Sequence, residues 1–487
     1  MIDKLRAAMG SKLPAGSFAR NVVTLMTGTT FAQALMILVA PILTRLYTPE
    51  DFGVFALYTS VLGILAVVSC WRYELAIVLP EKDEDAANLL VLSILICFSM
   101  AALTLLLVAL FRTTLANLLG APELAPWLWF MPLSLIAAGL FQVFNYWSTR
   151  RKQFKRLAVR QITQSTVISA TQIGTGALYP TVNAGGLIGG AILGQLTATG
   201  RLAWQIGRDE GPKIRGAFNK LNMKQMLIRY KDFPLYSSWS GFLNTASAML
   251  PALLLGYFFN PAVVGYYALG HRVLTMPMGV IGGSIAQVFV PQATEARRNA
   301  NLDQLTLVLF QRLLAIGVVP IILITIVAPD LFALIFGYRW YVAGEYVRWL
   351  SVWILFNFIS SPLSQMYLVL ERQRDGLMVN AFMFAARLTA LITGGILGDP
   401  LLTIALIGIT SGALWLFNCT YILHMAEVPL GKSYLAILKY IIKAVPYASI
   451  PLLVLYVFSD SLSFVIAGIG SGIIFLLVQI NQVKTRN

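Results

Sequence analysis

Residues 87–111 read ANLLVLSILICFSMAALTLLLVALF. No charged side chain interrupts them; the acidic run EKDED precedes at 81–85 and Arg112 follows at once. At about 1.5 Å of rise per residue, a helix of this length crosses a hydrocarbon core about 30 Å thick. Backbone amides in lipid must bond within their own segment, so helix is the economical form. Working outward from this stretch, the chain resolves into fourteen such spans: 22–46, 52–79, 87–111, 125–148, 161–179, 184–206, 234–259, 262–291, 305–328, 345–369, 377–398, 400–424, 440–458 and 462–482. The expected fold class is an all-α polytopic membrane protein.

The gaps between spans fix orientation. Of 36 Lys and Arg residues, 28 fall before residue 21, at 80–86, 149–160, 201–233, 292–304, 370–376 and 425–443, and in the C-terminal tail. The intervening gaps hold only Arg45, Arg112 and Arg339. Positive loops stay cytoplasmic, so both termini are expected in the cytoplasm. The alternation also checks the span count, because one missed helix would invert every later gap.

The chain is 58% hydrophobic and 12% charged, with mean hydropathy +0.75. A soluble fold with that surface would aggregate. The net charge of +15 is explained by cytoplasmic anchoring and does not point to nucleic acid. Cys70, Cys97 and Cys419 lie in apolar spans without paired spacing, as small buried side chains do. The first apolar stretch is too long for a cleaved signal core.

The organisation expected is a six-helix bundle over 1–206, a cytoplasmic linker over 207–233, a second six-helix bundle over 234–424, and two additional helices over 425–487. Within the linker, Leu221, Met223, Met226, Leu227 and Tyr230 alternate with Lys220, Lys224, Arg229 and Lys231. That pattern suits an amphipathic helix on the anionic inner leaflet. The halves resemble each other. TPEDFGVFAL at 48–57 matches NPAVVGYYAL at 260–269, LLGAPELAPW at 118–127 matches IFGYRWYVAG at 335–344, and RKQFKRL at 151–157 matches ERQRDGL at 371–377. Six spans return the chain to its starting side, so the repeats are parallel, a transporter trait.

FARNVVTLMTGTTFAQ, LVAPILTRLYTPEDFGVFALYTS and WRYELAIVLPEKDEDAANLL, within 18–90, resemble bacterial polysaccharide exporters of the Wzx type. These O-antigen and exopolysaccharide flippases share a superfamily with lipid II flippases and multidrug-and-toxin extruders. Beyond residue 90 the resemblance is mainly one of pattern. It implies two six-helix bundles forming a V-shaped cavity in the bacterial inner membrane. The implied cargo is an undecaprenyl-diphosphate-linked oligosaccharide moved from inner to outer leaflet. Lipopolysaccharide and exopolysaccharide biosynthesis is the implied setting, with a polysaccharide polymerase and glycosyltransferases as partners alongside membrane lipids.

Charges inside spans are costly and mark transport paths. Arg272 and Arg387 each lie ten residues into a span, about 15 Å deep by helical rise, too deep to reach an interface. A diphosphate suits the planar guanidinium fork, so both are candidate substrate ligands, with His271 beside Arg272. Arg20 and Arg45 stand at opposite ends of the first span, as anchors or as a basic rim. Arg72 lies in the second span with Glu74; at two residues' separation on a helix they face different ways. Arg312 is shallow enough to snorkel, and Arg348 follows Glu345 by one helical turn. Glu74 and His271 are the candidates for ion coupling. No cofactor or metal is indicated, and H+ or Na+ coupling is left open. Asn244, Gln287, Gln365, Asn380 and Asn418 are polar enough to meet sugars, though such residues also join helices.

Three rival readings stay open. A drug/cation antiporter would want an acidic lumen, and this chain offers arginine. A polymerase or ligase usually needs a large outer loop, and none is present. A scaffold leaves Arg272 and Arg387 unexplained. Cysteines introduced at Phe154, Phe218 and Arg374 are expected to resist an impermeant thiol reagent applied outside the inner membrane, while one at Asn183 reacts. Labelling at 218 would overturn the orientation.

Overall fold

The computed structural model describes residues 18–299, 301–458 and 461–484, with side chains described except at 18–26, 180, 277–288, 291 and 480–484. The described residues are helical and contain no strand. The helices are α1 Phe18–Leu46, α2 Pro49–Val68, α3 Tyr73–Ala76, α4 Asp83–Leu118, α5 Met131–Arg150, α6 Phe154–Leu178, α7 Ala184–Ala217, α8 Lys220–Arg229 and α9 Ser238–Phe258. They continue as α10 Pro261–Arg298, α11 Leu302–Phe336, α12 Tyr341–Leu363, α13 Met366–Val369, α14 Gln373–Leu397, α15 Pro400–Met425, α16 Leu430–Phe458 and α17 Ser461–Lys484.

The expected spans lie mostly on helix, the second being interrupted at 69–72. Only 11 helices among the described residues are long and apolar enough to cross a membrane, however. The difference lies in α6, α7 and α10. Gln161, Gln164, Ser165, Ser169 and Gln172 make α6 polar, and α7 opens on glycines and carries Gln195 and Arg201. α10 is described only in part. The protein is therefore a polytopic all-α membrane protein with at least eleven candidate spans. Lipid is the natural solvent for its surface: Leu106, Leu110 and Phe111 on α4 are each more than half exposed.

The chain forms two compact units, Met1–Val264 and Gly265–Asn487. In the first, α6 packs along both α1 and α7, α4 against α5, and α9 against α2. Its core gathers Leu89, Val143, Trp147, Leu202 and Met226 from four helices, with Ile77 from the turn after α3. In the second, α12 packs along α11 and α15, α14 along α15, and the last two helices along each other and α11. Its core includes Phe310, Leu314, Phe358, Ile422 and Phe475.

Local chemistry sets the helix ends. The side chain of Thr48 accepts from the Asp51 amide while Asp51 accepts back from the Thr48 amide, a capping box, with Pro49 at the first helical position. Asn260 accepts from the Val263 amide ahead of Pro261 in the same way. These are the two segments that the sequence comparison matched. α5 and α13 end alike too. Lys152 and Glu371 adopt φ of 56° and 60°. The amide after each bonds back five residues, Gln153 to the Ser148 carbonyl and Arg372 to the Tyr367 carbonyl. That is a Schellman termination without glycine.

The second span departs from a continuous helix. α2 stops at Val68, Trp71 and Arg72 take φ of 48° and 61°, and α3 adds a single turn. α8 also departs from expectation: Met226 and Tyr230 are buried against the protein, and Asn222 bonds Asp85 at 2.9 Å. Leu221, Leu227 and Ile228 face outward instead.

Gly53, near the start of α2, packs so closely on Pro261 that a Cβ would collide with its carbonyl. Gly53→Val should therefore destabilise the first unit by about 1–3 kcal/mol, seen as a lower Tm of the detergent-solubilised protein. An unchanged Tm would mean this contact is not tight.

Candidate functional site

Two buried groups of ionisable side chains stand out, one in each unit. In the second unit, Tyr267 and His271 are one turn apart on α10, so they share a face. The His271 ring stacks on Tyr267 at 5.5 Å and 27°, and lies 5.4 Å from Trp353 of α12 at 30°. Arg387 of α14 places its guanidinium carbon 5.0 Å from the centre of the same indole, and its Nε donates to Ser411 Oγ of α15 at 3.2 Å. Four helices thus converge on Trp353. Its Nε1–H is buried and donates to no described group. No carboxylate among the described residues pairs with Arg387. The cluster is cationic and aromatic, suited to an anion with hydrogen-bond acceptors.

Arg272 follows His271 but points about 100° away around the helix. It joins none of these contacts and makes no hydrogen bond or ion pair among the described residues. The structure thus brings together His271 and Arg387, and leaves Arg272 apart.

In the first unit, the break after α2 brings Arg72 Nη1 to 3.9 Å from Glu74 Oε1. Helix geometry would have separated them; the left-handed residues between α2 and α3 do not. The pairing is incomplete. Glu74 Oε2 and Arg72 Nε are both buried without a described partner. Gly241 of α9 makes room for the guanidinium, since a Cβ there would collide with Nη2. Tyr73 donates to the Leu227 carbonyl at 3.0 Å, tying the break to α8.

One set of helix ends in the first unit carries an ion-pair network. Asp83 accepts from Arg150 at 3.0 Å and Arg151 at 2.8 Å. Glu210 accepts from Arg151 at 2.9 Å, Arg156 at 3.2 Å and the Trp147 indole at 2.9 Å. Asp209 pairs with Arg156 at 2.6 Å and Arg208 at 2.8 Å. Those two arginines, Arg208 first, hold its carboxyl below the usual carboxylate range. Arg150 also donates to the Pro80 carbonyl at 2.6 Å, closing the chain after α3. Part of the expected anchoring charge is thus neutralised within the protein.

The remaining expected residues scatter. Arg45 is exposed and donates to the Pro41 carbonyl at 2.7 Å. The Arg20 side chain and Gln287 lie outside the described residues. Arg348 pairs with Glu345 at 3.1 Å, as its spacing suggested, and Arg312 is exposed. Asn418 joins helices, accepting from Tyr367 and donating to Ser360, both at 2.7 Å. Asn380 donates to its own helix at Gly376. Sequence reasoning missed Arg160. Counted as an inner loop charge, it sits in α6 at 8% exposure, with its guanidinium carbon 3.4 Å from the Phe141 ring centre. The polar run Arg160–Gln161–Gln164, followed by Gln195 on the next helix, was the available signal.

The family model described as polysaccharide biosynthesis protein matches residues 42–345, more than half of the chain. The chain belongs to that family. No curated protein matches it by sequence. Among solved structures, the lipid II flippase MurJ in an inward closed conformation is similar over 95% of this chain and 99% of its own, with TM-score 0.71 at 13% identity. An inward-facing multidrug resistance MATE family transporter of the MOP superfamily is similar over 81% of this chain and 94% of its own, with TM-score 0.62 at 15% identity. The likeness to both structures is one of fold: the chain shares their all-helical membrane architecture.

Glu210→Ala would strip three donors of their acceptor, including the buried Trp147 N–H. A loss of about 1–3 kcal/mol is expected from the unsatisfied group alone, read as a lower Tm. Glu210→Gln keeps an acceptor and should lose less; equal losses would show that charge alone matters.

Proposed function

We propose that this protein is a flippase that carries undecaprenyl-diphosphate-linked oligosaccharide from the inner to the outer leaflet of a bacterial inner membrane by alternating access. Both termini then lie in the cytoplasm, and the two six-helix repeats with two additional helices form its working body. The observation that carries this reading is the acid-free cluster of Arg387, His271 and Trp353. A guanidinium held on an indole presents its fork to phosphoryl oxygens, and the free indole N–H adds a donor for a sugar or phosphate oxygen. Membership of a polysaccharide biosynthesis family supports a glycan cargo, and the likeness to the fold of a lipid II flippase supports a lipid-linked one. Arg272 extends the cationic path on the same helix. On this reading Arg72, Arg20 and Arg45 are secondary substrate contacts, and membrane lipids hold the tail. A polymerase and glycosyltransferases act before and after transport.

A second reading draws on Glu74. A buried carboxylate with one oxygen unpartnered is the group that a proton- or cation-coupled antiporter needs. On the flippase reading the same group couples transport to H+ or Na+.

The test is export in cells whose own flippase is deleted. Arg387→Ala and Arg272→Ala should each abolish polymer export at normal protein abundance, with lipid-linked precursor held in the inner leaflet. Lys should rescue only partly, because it keeps charge but loses the fork. Normal export by both Ala variants would remove the cationic path. Loss of export in Glu74→Gln alone would favour the antiporter.

A further inference from the structure

Arg160 is a buried cation that the first unit does not neutralise. Its guanidinium has five N–H donors, yet only Nη2 is used, donating to Gln195 Oε1 at 3.0 Å. Nε is buried with no partner, and Nη1 donates to no described residue. One turn earlier on α6, Arg156 holds both Asp209 and Glu210. No carboxylate among the described residues pairs with Arg160.

The surroundings are neutral and rich in donors. Gln164 Nε2 also donates to Gln195 Oε1, so that oxygen serves two donors. Gln195 Nε2 is held by the Ala137 carbonyl at 3.3 Å. Thr29 of α1 donates to Gln161 at 3.2 Å, and Arg201 of α7 donates to Thr163 at 3.2 Å. Phe141 of α5 closes the far side with its ring face. A buried cation without a counter-charge is destabilising, and one cation–π contact offsets only part of that. The arrangement is what a site awaiting an anion requires.

We infer that Arg160, with the Gln164 and Gln195 amides and Arg201 at its rim, forms a phosphoryl-binding subsite in the first unit. A phosphate fits the set best: the guanidinium supplies a bidentate fork and the carboxamide N–H groups supply neutral donors. The ligand chemistry is shared by a phospholipid headgroup and by a diphosphate cargo. The subsite does not need a glycan to form.

The experiment uses the full-length protein in phosphatidylcholine nanodiscs, with Tm read against inorganic pyrophosphate. The Arg272→Ala/Arg387→Ala background is run in parallel, so that failure of the cargo reading and failure of this one differ. A saturable rise in Tm should appear in both backgrounds. In either, Arg160→Met should weaken the pyrophosphate midpoint at least about tenfold, while its ligand-free Tm is kept or raised, since a buried charge has been removed. Phe141→Leu keeps the fork and should keep the midpoint. Arg160→Lys covers the case in which Met does not fold, and should weaken binding while retaining some. Replacing part of the phosphatidylcholine by phosphatidylglycerol separates the sources. If that lipid raises Tm through Arg160 and pyrophosphate adds nothing, the ligand is a headgroup; the reverse makes it the cargo's phosphate. Unchanged pyrophosphate and lipid responses in Arg160→Met, or in Arg160→Lys where Met does not fold, overturn the subsite. So does a wild type whose Tm answers neither probe.

Discussion

In hydrocarbon a backbone amide or carbonyl has only other protein groups to bond. Long helices satisfy that demand, and the places where helix stops show how the sequence meets it. After Val68 the chain leaves helical geometry, and side chains take over. Gln142 donates to the Ala66 carbonyl at 2.9 Å, and Ser69 donates to the same oxygen at 2.8 Å. Arg150 closes the carbonyls that follow α3. In the second unit, Ser364 donates to the Ser360 carbonyl at 2.8 Å where α12 ends. Polar side chains that look out of place in apolar spans are in several cases the partners of interrupted backbone. This is the reason that Ser, Asn and Gln within spans are poor guides to a transport path, and Asn418 is a clear instance.

The same scarcity of partners sorts the arginines. Arg150, Arg151 and Arg156 meet carboxylates at helix ends, where water also reaches. Arg348 meets Glu345 one turn away. Arg72 has a carboxylate at 3.9 Å and keeps an unpartnered Nε. Arg160, Arg272 and Arg387 have no carboxylate partner among the described residues. Removing such a charge from water without a counter-ion is destabilising; on the proposed reading a ligand carrying negative charge offsets that. Arg387 is eased by an indole and a hydroxyl, Arg160 by a phenyl ring and an amide. Both solutions hold the guanidinium in place while leaving donors free.

The helices were legible because lipid imposes one rule on every residue that faces it. The apolar stretches lie mostly on helix for that reason. Transport spans are less legible where a helix is shielded by its neighbours: α6 and α7 pack along each other, carry Gln, Ser and Thr, and fall below a hydropathy threshold that exposed α4 easily exceeds. The site was legible in part. Depth along an assumed helix singled out Arg387, which is half-buried, and it placed Arg272 beside His271. It could not show that His271 and Arg387 share Trp353, which is 82 residues from His271 in sequence. The same assumption separated Arg72 from Glu74, because no residue pattern at 69–72 announces two successive left-handed conformations without glycine. Arg160 was hidden by charge counting: a basic residue among five others near a helix start reads as an anchor until its burial is known.

Repetition survives in the backbone more than in the chemistry. α5 and α13 end in the same Schellman pattern, with Lys152 and Glu371 in the left-handed position, residues of opposite charge doing one conformational task. Thr48 and Asn260 cap α2 and α10 with different side chains, each accepting from the amide three residues on. Caps of this kind tolerate exchange because any residue that accepts the first-turn amides, or accepts positive φ, suffices. The surroundings of the two cations differ between the units: Phe141 and Gln195 frame Arg160, Trp353 and Ser411 frame Arg387. On the proposed reading, a cargo with chemically distinct ends, a charged diphosphate and a glycan, has no use for identical sites. Duplication would supply the scaffold twice, and the asymmetry of the ligand would keep the two sets of side chains apart.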